Sequence, residues 1–583
     1  MTNKQLADLF TLIADVLQIK GEVIYKILAY RKAAESLLNL GRDVRTVWQE
    51  GGIPALLEIP GVGNAIAEKI DEQLSTGQLA YLNKLAAEIP LSLAELMAVP
   101  DLGPKRIKLF HDELGIATLT ELEAAAREGK LRGLPGMGEK SEAKILEGLQ
   151  SLARRRALGD RTPLETAFPF AQDQLNRLRA LAGVSAAEVA GSLRRMRETV
   201  GDVDILVAAA DSAPVMETFT TQPGVVRVLG KGTTKASVEF SNGMRAQIWV
   251  HPPERFGTAL QYATGSKDHN VRLREIALGK GLSLSEHALT KTDTGEEILC
   301  ATEAEVYRAL GLPLIPPEMR EDRGEVKLAL GGALPRLIEP GDVSASLHNH
   351  STWSDGKASI KEMALAAIAR GYKVLAITDH SHSLGIVQGI KPEDVPRQRE
   401  EIDAVQAELG SQIKLLQGVE VEIRADGTLD FEDAVLAKLD IVVASLHTSL
   451  RQPREQITAR LLNAIRNPHV DVIGHPSGRQ IPDREGADLD WDAVLAAALE
   501  TDTALEINAN PRRLDLNDIQ TRRAVDMGIK LSLNTDAHAP EHFDLLHFGI
   551  ATARRGWVEP EGVINCWKAG RLVRWLGGEK LHD

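Results

Sequence analysis

The sequence predicts a multidomain protein that joins an all-α N-terminal region, an α+β centre and a C-terminal α/β barrel. Apolar residues recur every three or four positions up to about residue 155, which is typical of packed helices. Short runs with strand-like alternation follow to about residue 250. From about residue 343, apolar runs alternate with helical stretches, as in a barrel of parallel strands with outer helices. The 583 residues are enough for several domains.

The composition is that of a globular protein with an excess of acidic side chains. Hydrophobic residues make up 43%, charged residues 26%, and the formal net charge is −14. This excludes a broad basic coat for nucleic acid, but not local contacts or carboxylates around divalent metals. Because no long apolar run is present, no membrane partner is expected. Two cysteines, Cys300 and Cys566, exclude a disulfide scaffold and a thiolate metal site, so a cytoplasmic protein is expected.

Three glycine turns punctuate the N-terminal helices at nearly regular intervals, which indicates a repeated helix–turn–helix unit. They lie in IPGVGNAIAEKI (59–70), VPDLGPKRIKLF (99–110) and LPGMGEKSEAKIL (134–146). The first and third resemble helix-hairpin-helix motifs, whose glycines let backbone N–H groups reach a DNA phosphate, often with a monovalent cation. The candidate DNA contacts in the three turns are Gly61, Gly63, Gly103, Gly136 and Gly138. A single such turn is also a common helix connector, and the middle one lacks the first glycine.

Two acidic residues stand at alternate positions of a predicted central strand. Asp202 and Asp204 in DVDILVAA point to the same side and can hold Mg²⁺ or Mn²⁺. The preceding EVAGSLRR (188–195) offers backbone N–H groups, a hydroxyl and arginines to a triphosphate. KASVEF (235–240) and MRAQIWV (244–250) predict a neighbouring hairpin. An Asp-x-Asp pair alone also occurs on solvated strand faces, whereas the longer string is rarer.

The string Gly-Ser-x-Arg-Arg…Gly-Asp-x-Asp resembles the family X DNA polymerases, the group that includes polymerase beta. From residue 251 the chain is predicted to return to helix and loop, and Tyr-Ala-Thr-Gly-Ser (262–266), followed by an asparagine and an arginine, resembles the thumb of that family. The resemblance spans about residues 1–315 and implies gap-filling DNA synthesis from dNTPs. The implied nucleotide-binding residues are Gly191, Ser192, Arg195, Tyr262, Gly265, Asn270 and Arg274.

The resemblance to the polymerase palm fails at one position. The family has a third aspartate on the neighbouring strand, which binds the catalytic metal and activates the primer 3′-hydroxyl. This sequence has Gln247 there, and it has Trp249 where an arginine is usual. An amide carries no charge and accepts no proton. Glu239 on the partner strand is an alternative acid. The sequence therefore predicts either strongly reduced synthesis or a site that only binds nucleotide and DNA.

The first helices resemble the small lyase domain of the same family. Tyr30, Arg31 and Lys32 in ILAYRKAAESL match it, and Lys69 in IAEKI matches the lysine that forms a Schiff base with an abasic sugar. Such a lysine must be partly deprotonated. Tyr30 is a further candidate DNA contact. The alternative for Lys69 is an ordinary lysine on a helix surface.

Histidines and carboxylates follow the predicted barrel strands one after another, and most of the 15 histidines lie beyond residue 340. The candidate metal ligands are His348, His350, Asp355, His380, Glu420, His447, His475, Asp536 and His538. Because the C-terminal ends of barrel strands converge, these residues are expected around one cavity. They are too many for one ion, so two or three divalent metals are predicted, and the mixed donors suit Mn, Zn or Fe. A lone histidine at a strand end is often a capping or core residue.

These residues resemble the PHP (polymerase and histidinol phosphatase) family over residues 343–583. The resemblance implies a distorted seven-stranded barrel with a trinuclear metal centre that hydrolyses phosphomonoesters or the 3′ ends of DNA. Arg512 and Arg513, with Asn508, lie at another strand end in EINANPRRLDL. An arginine there can hold a substrate phosphate. A surface ion pair is the alternative.

Together these resemblances cover almost the whole chain and predict six segments. They are a lyase-like helical domain (1–85), a fingers-like helical DNA-binding domain (86–158), a nucleotidyltransferase palm (159–250), a thumb (251–315), a linker (316–342) and the PHP domain (343–583). The segment IPPEMREDRGEV (315–326), rich in proline and charge, is predicted to be a linker or surface loop.

The predicted function is DNA repair in the cytoplasm, at the nucleoid. The palm is expected to fill gaps, and the PHP domain is expected to act as a 3′–5′ exonuclease or phosphoesterase. The expected partners are gapped or 3′-recessed DNA and dNTPs, and the protein is expected to be a monomer. Two alternatives stay open. One is a 3′-end nuclease with an inactive polymerase scaffold, which Gln247 favours. The other is a small-molecule phosphatase of the histidinol-phosphate type.

Overall fold

The structure is a computed structural model that describes residues 1–38, 40, 42–100, 102–158, 161–385 and 388–578. Two compact units follow one another along the chain, Met1–Asp160 and Arg161–Asp583. The predicted first residue of the palm, 159, lies outside the described residues, as does Asp101 of the middle turn. The other predicted domain boundaries remain predictions. None of the helices in the described part of the chain combines the length and apolar character needed to cross a membrane.

The first unit is all-α, as predicted. Its helices are α1 (Asn3–Lys20), α2 (Ile24–Leu38), α3 (Val44–Leu57), α4 (Asn64–Thr76), α5 (Ala80–Glu88), α6 (Leu93–Leu96), α7 (Pro104–Leu114), α8 (Leu119–Arg127) and α9 (Glu139–Leu158). The three-and-four periodicity of α1 buries Leu6, Phe10, Ile13 and Leu17 completely. Helices α4, α7 and α9 each begin directly after a glycine of one predicted turn, so three helix N-termini follow a residue without a side chain.

The second unit begins with an α+β region, also as predicted. Its elements are β1 (Thr162–Pro163), α10 (Leu164–Arg179), β2 (Val184–Val189), α11 (Gly191–Arg194), β3 (Thr199–Val200), β4 (Val203–Ala209), α12 (Ala213–Thr221), β5 (Val225–Lys231), β6 (Lys235–Phe240), β7 (Arg245–His251), α13 (Phe256–Thr264), α14 (Lys267–Gly279), β8 (Leu282–Leu284), β9 (Leu289–Lys291), β10 (Glu297–Ile298), α15 (Glu303–Ala309) and α16 (Glu325–Leu330). Within the described residues, five strands form a sheet in the order β2-β4-β7-β6-β5. β6 and β7 pair antiparallel, which confirms the predicted hairpin, and β4 runs parallel to β7. The strand that carries Asp204 therefore lies beside the strand that carries Gln247.

Two stretches of this region differ from the prediction. β8, β9 and β10 form a small antiparallel sheet where helix and loop were expected, because such short strands show no readable alternation. Residues 315–326 are not a surface loop. Arg320 and Glu325 are fully buried, and Arg320 Nη1 donates to Glu303 Oε1 at 2.6 Å. Charged side chains can be buried when they have partners, and a partner distant in sequence is not visible in local composition.

The C-terminal part of the second unit forms the predicted seven-stranded barrel. Its elements are β11 (Ala345–Ser346), α17 (Ile360–Ala369), β12 (Val374–Ile377), α18 (Val395–Leu409), β13 (Lys414–Glu422), α19 (Asp433–Leu436), β14 (Ile441–Ser445), α20 (Arg454–Ile465), β15 (Val472–Gly474), α21 (Trp491–Thr501), β16 (Ala504–Asn508), α22 (Asp518–Met527), β17 (Leu531–Asn534), α23 (Leu546–Arg555) and α24 (Ala569–Leu576). The strands formed by the described residues are parallel and pair in chain order from β11 to β17. A parallel bridge between Asn349 and Ala537 nearly closes the ring, and the side-chain amide of Asn565 donates to the carbonyls of Ala345 and Leu533 across the same gap. The carboxyl ends of the strands consequently surround one opening.

Candidate functional site

The nine predicted metal ligands lie together at the carboxyl ends of the barrel strands. Their ligand atoms form three overlapping groups, and within each group all atoms lie within 4.8 Å of one another. The groups are His350, Asp355, His380 and His538; His348, His350, Glu420 and Asp536; and His380, Glu420 and His447. His475 joins them through its Nε2, which is 2.9 Å from Glu420 Oε1. The structure therefore brings all nine residues into one cluster, which contains Glu420 as a shared member.

Two of these residues have a backbone conformation that residues other than glycine rarely adopt. His475 follows β15 with a φ of 28°, and Asp536 follows β17 with a φ of 52°. Such a conformation costs about 1–3 kcal/mol and persists where the surrounding structure imposes it. Both residues belong to the cluster, so the strain coincides with the site.

The cluster contains buried polar atoms that make no hydrogen bond of normal geometry to the described residues, although some lie close to one another. They are both carboxylate oxygens of Glu420, Nε2 of His348 and of His447, Nδ1 of His350 and of His380, and both ring nitrogens of His475. Leaving such an atom unpaired costs about 1–3 kcal/mol, and native proteins keep few of them. Their concentration on imidazole and carboxylate groups in one place fits the binding of divalent cations.

Two further glutamates fix the orientation of histidine rings and are absent from the predicted site. Glu506 Oε1 lies 2.8 Å from His348 Nδ1. Glu422 Oε2 lies 2.7 Å from His447 Nδ1. A carboxylate on one ring nitrogen leaves the other nitrogen oriented to bind a metal. Glu422 stands two residues after Glu420 on β13, so strand alternation is the signal that identifies it.

The cluster sets the charge of its own members. Burial, together with the nearby His538 and His380 rings, lowers the pKa of His350 to about 3. Burial opposes charge on Glu420, but His380 and the other histidines hold its pKa well below its usual range. Burial also opposes charge on His447, yet Glu420 raises its pKa to about 9. Neutral imidazole and ionised carboxylate are the metal-binding forms, so metal binding at His447 would release a proton.

The two candidate phosphate-binding arginines differ in position. Arg513 is largely buried, and its Nε lies 3.6 Å from Asp536 Oδ2 in the metal cluster. Arg512 is exposed and forms an ion pair with Asp483 at 2.7 Å. Asn508 Nδ2 also reaches Asp536 Oδ2, at 3.3 Å. The structure thus brings Arg513 and Asn508 to the cluster, whereas Arg512 forms the surface ion pair that was its alternative.

In the palm, the two predicted catalytic acids lie next to Gln247. Asp204 is opposite Gln247 in the β4–β7 register, and Gln247 Nε2 donates to Asp202 Oδ2 at 3.2 Å. Burial and the neighbouring Asp202 raise the pKa of Asp204 to about 7. Two acids that repel each other in a partly dry site suit a divalent cation. Trp249, two residues further on, packs against Lys235, whose Nζ lies 4.8 Å from the ring centroid.

Glu239, the alternative third acid, is fully buried on β6. The strand registers place it opposite Arg227 on β5 and opposite Arg245 on β7. The residue opposite Gln247 is instead Ser237. Glu239 therefore lies on the adjacent strand, two residues away from the residue that is opposite Gln247.

The glycine of the Gly-Ser-x-Arg-Arg string lies directly against a predicted catalytic acid. Gly191 has a φ of 60°, and a Cβ at this position would lie 2.2 Å from Asp204 Oδ2. Ser192 follows it on α11 and is half-buried. A side chain at residue 191 would displace the carboxylate, so the close approach requires glycine.

Arg195 contacts the predicted thumb. Its Nη1 donates to the carbonyl of Thr264, and its Nε donates to Glu321 Oε1 at 3.1 Å. Gly265 follows with a φ of 67°, and a Cβ there would lie 3.2 Å from Arg195 Nη1. The guanidinium thus joins palm to thumb in this structure, and its role at a nucleotide remains a prediction.

The other thumb residues combine one buried amide with two exposed side chains. Asn270 is buried, accepts a hydrogen bond from Gln261 at 2.8 Å, and donates to the carbonyl of Tyr262 at 2.7 Å. The Tyr262 ring is 40% exposed, and Arg274 is also exposed. Asn270 therefore holds the backbone that presents Tyr262, while Tyr262 and Arg274 are accessible to a ligand.

In the first unit, Lys69 lies on α4 beside two stacked tyrosines. Its Nζ is 4.9 Å from the centroid of Tyr81, and Tyr81 stacks on the buried Tyr30 with centroids 6.1 Å apart. Burial lowers the pKa of Lys69. Arg31 pairs with Asp15 at 2.8 Å. Burial therefore makes the Lys69 amine easier to deprotonate than that of an ordinary lysine. Tyr30 is only 4% exposed and packs among the helices.

The predicted DNA-binding turns present open backbone. Gly61 and Gly136 have φ values of 78° and 72°, and a Cβ at Gly63, Gly103, Gly136 or Gly138 would meet no atom within 4 Å. A surface depression of about 420 Å³ is lined by Gly103 and the three residues that follow it, including Lys105 and Arg106. A phosphate can therefore reach the N–H groups at the starts of α4, α7 and α9.

Comparisons with known families divide the chain in the same order. Residues 1–79 match the helix-hairpin-helix domain, 53–108 and 93–151 the SAM-like helix-hairpin-helix tandem, 259–321 the DNA polymerase beta thumb, and 346–510 the PHP domain. These four families match both halves of the chain, from the first helices to the barrel.

Three relatives show how far the similarity extends. The chain is 40% identical over 567 residues to the DNA polymerase/3'-5' exonuclease PolX of Bacillus subtilis (strain 168), with 97% of each chain covered. It is 27% identical over 355 residues to DNA polymerase lambda of Rattus norvegicus, covering 55% of this chain and 56% of that one. It is 34% identical over 248 residues to a probable phosphatase of Thermoanaerobacter sp. (strain X514), covering 40% of this chain and 94% of that one.

Proposed function

The chain belongs to the family X DNA polymerases that carry a C-terminal PHP domain, and on this premise we propose that it is a DNA repair enzyme with two activities. The helix-hairpin-helix turns bind gapped or 3′-recessed DNA, with a monovalent cation at the turn. The palm positions a primer end and a dNTP with Mg²⁺ or Mn²⁺. The barrel removes nucleotides from 3′ ends as a 3′–5′ exonuclease. The protein acts as a monomer in the cytoplasm, at the nucleoid.

The observation that carries the proposal is the cluster of nine ligands with unpaired buried atoms. These residues would hold two or three divalent ions of Mn, Zn or Fe. When bound, such ions supply an activated water and neutralise charge on the phosphate. The Oε2 of Glu420 lies 3.3 Å from His348 Nε2 and its Oε1 lies 3.2 Å from His447 Nε2, so Glu420 would help to hold the ions together with both histidines. Arg513 would hold the substrate phosphate beside Asp536.

The exonuclease is tested with a 5′-labelled, 3′-recessed duplex and Mn²⁺. We expect the purified protein to shorten the labelled strand progressively. In His350→Asn the rate of shortening is expected to fall about 100-fold or more, since loss of a ligand would weaken binding of the metal that activates water. His287→Asn is the control, because His287 is an exposed histidine outside the cluster. Persistence of shortening in His350→Asn, or no shortening by the unmodified protein, would contradict the proposal.

Synthesis by the palm is proposed to be weak. Gln247 places an amide where a base is needed, and that amide donates to Asp202 instead of accepting a proton. The same hydrogen bond favours the second candidate, a nuclease whose palm only binds DNA and nucleotide. A small-molecule phosphatase is not proposed, because the phosphatase relative aligns with 40% of this chain, whereas the PolX relative aligns with 97%.

The substitution Gln247→Asp is expected to raise extension of a gapped primer about tenfold or more with Mg²⁺ or Mn²⁺. The added carboxylate can ligate the catalytic metal and take the proton of the primer 3′-hydroxyl. Gln247→Ala is the control, since it removes the hydrogen bond to Asp202 without adding charge. Extension by the unmodified protein at the rate of Gln247→Asp would show that synthesis is not weakened.

A Schiff-base role for Lys69 is proposed on its lowered pKa and its position beside Tyr81. Reduction with borohydride in the presence of a 5′ abasic sugar phosphate is expected to trap a covalent DNA adduct. Lys69→Ala is expected to abolish trapping, and Lys26→Ala is the control, because the Lys26 amine lies 5.5 Å from the centroid of the same Tyr81 ring. Unchanged trapping in Lys69→Ala would show that Lys69 is an ordinary surface lysine and does not form the Schiff base.

A further inference from the structure

Arg479, outside the predicted site, holds the backbone that carries Arg513. It follows β15 by five residues, and its side chain is only 14% exposed. Its Nε donates to the carbonyl of Arg513 at 2.8 Å, and its Nη2 donates to the carbonyl of Leu514. A planar guanidinium that binds two consecutive carbonyls fixes the direction of that chain segment.

The segment that Arg479 holds is strained and needs such support. Leu514 has a φ of 46°, in the left-handed region that a branched side chain rarely adopts. The next residue, Asp515, accepts hydrogen bonds from the backbone N–H and the hydroxyl of Ser477, both at 2.9 Å. The loop after β15 thus helps to hold the turn that places Arg513 beside Asp536, together with backbone hydrogen bonds to Asn508 and Asn510.

The ion-pair partner of Arg479 lies in the palm, and the carboxylates of Asp515 and Asp518 in the barrel add negative charge near it. Glu198 Oε2 lies 2.8 Å from Arg479 Nη2. Glu198 immediately precedes β3, and Asp202 lies two residues after that strand ends. A largely buried guanidinium without its carboxylate is costly, so the ion pair and the two carbonyl contacts depend on each other.

We propose that Arg479 is a positioning residue for the barrel site and that Glu198 of the palm secures it. The contacts run from Glu198 to Arg479, to the backbone of Arg513, and through the Arg513 side chain to Asp536. The proposal rests on the exonuclease function proposed above. If the proposal is correct, binding of a substrate phosphate by the barrel depends on the palm loop that leads to Asp202.

The variant Glu198→Gln tests this link, because it keeps the shape of the side chain and removes its charge. The matched control is Glu318→Gln, which removes an ion pair to Arg554 of α23 at 2.7 Å that has no contact with residues 513–514. We expect Glu198→Gln to raise KM for a 3′-recessed duplex about fivefold, with kcat within about twofold, since the metal ligands are untouched. Glu318→Gln is expected to leave both constants unchanged.

A double variant separates positioning from general destabilisation. Arg513→Gln is expected to raise KM at least as much as Glu198→Gln, and the combined variant is expected to raise KM no further, because both act on the same contact. The proposal would be overturned if the KM of the combined variant rose by the product of the two single increases, or if KM were unchanged in Glu198→Gln. A fall of kcat together with the melting temperature would also overturn it. If the unmodified protein fails to shorten DNA, the proposed function fails. In that case, KM and kcat of the same variants are measured with bis(p-nitrophenyl) phosphate as substrate, which tests the coupling between Glu198 and Arg513 separately.

Discussion

At the residue scale, Gly191 connects the backbone of the palm to its chemistry. Its φ of 60° and the 2.2 Å that would separate a Cβ from Asp204 Oδ2 leave room for hydrogen alone. The carboxylate of Asp204 can therefore lie against the chain that is predicted to meet a triphosphate. Residue 191 must therefore be glycine for two reasons, the positive φ of the backbone and the close approach of the Asp204 carboxylate.

Replacing this glycine tests that requirement. We expect Gly191→Ala to lower the free energy of unfolding by about 2 kcal/mol or more, because the methyl group displaces Asp204 and an L-residue is strained at this φ. Urea unfolding followed by tryptophan fluorescence measures the loss. Gly230→Ala on β5 is the control, since a Cβ there meets nothing within 4 Å. Equal losses in the two variants would show that the contact with Asp204 is unimportant.

At the element scale, helix N-termini take the place of a basic surface in the proposed binding of DNA. Gly63 and Gly103 are the N-caps of α4 and α7, and neither cap residue has a side chain that accepts a hydrogen bond from the first N–H groups of its helix. These groups and the helix dipole can receive a phosphate without lysine or arginine. A chain with a net charge of −14 can therefore bind DNA locally.

Blocking one helix start tests the assignment. We expect Gly63→Val to weaken binding of a gapped duplex about five- to tenfold, because the branched side chain occupies the space a phosphate would take. The fold is expected to tolerate it, since a Cβ at Gly63 meets no atom within 4 Å. Fluorescence anisotropy measures affinity, with Gly562→Val as the control at another open glycine. Unchanged affinity in Gly63→Val would remove this turn from the DNA contacts.

Periodic and convergent features were predictable from the sequence, and features that depend on distant partners were not. The spacing of buried residues in α1 and the alternation of strands and helices in the barrel identify elements directly. The ligand cluster follows because parallel strand ends converge. The contact between Arg195 and Glu321 could not be predicted, because Glu321 lies 126 residues further along the chain. Glu506 was missed because it stands inside an otherwise apolar strand and is recognised only by the histidine it contacts.

At the scale of the second unit, buried ion pairs join the palm, the segment after the thumb and the barrel. Arg555 of α23 donates to the carbonyl of Arg195 at 2.7 Å, to Glu321 at 3.0 Å and to Asp518 at 2.6 Å. Glu303 accepts hydrogen bonds from the guanidinium groups of both Arg194 and Arg320. The segment predicted to be a linker is thus part of the packed interior.

These carboxylates make stability depend on acid pH. Burial opposes charge on Glu321 and Glu303, but Arg555 acts on the first and Arg320 on the second, and the pKa of each falls to about 2. A lowered carboxyl pKa stabilises the folded state above the usual value near 4.5, and that stabilisation is lost as pH falls from about 4.5 towards 2. We expect a loss of up to about 1.4 kcal/mol per pH unit for each carboxylate. Urea midpoints measured from pH 6 to pH 3 test this, and Glu321→Gln must show a shallower dependence than the unmodified protein.

The two active regions use different residues and should be separable in the whole molecule. The palm acids lie on and beside β4, whereas the proposed metal ligands lie at the carboxyl ends of the barrel strands, and no residue belongs to both sets. We expect Asp202→Asn with Asp204→Asn to abolish primer extension in the Gln247→Asp background and to leave 3′ shortening within about twofold, since the barrel ligands are untouched. His350→Asn is expected to do the reverse. One reaction with gapped DNA and dNTPs, read on a denaturing gel, reports both activities through longer and shorter products. Loss of both activities in either variant, with normal folding, would show that one site performs or controls both reactions, and would contradict the division of chemistry between palm and barrel.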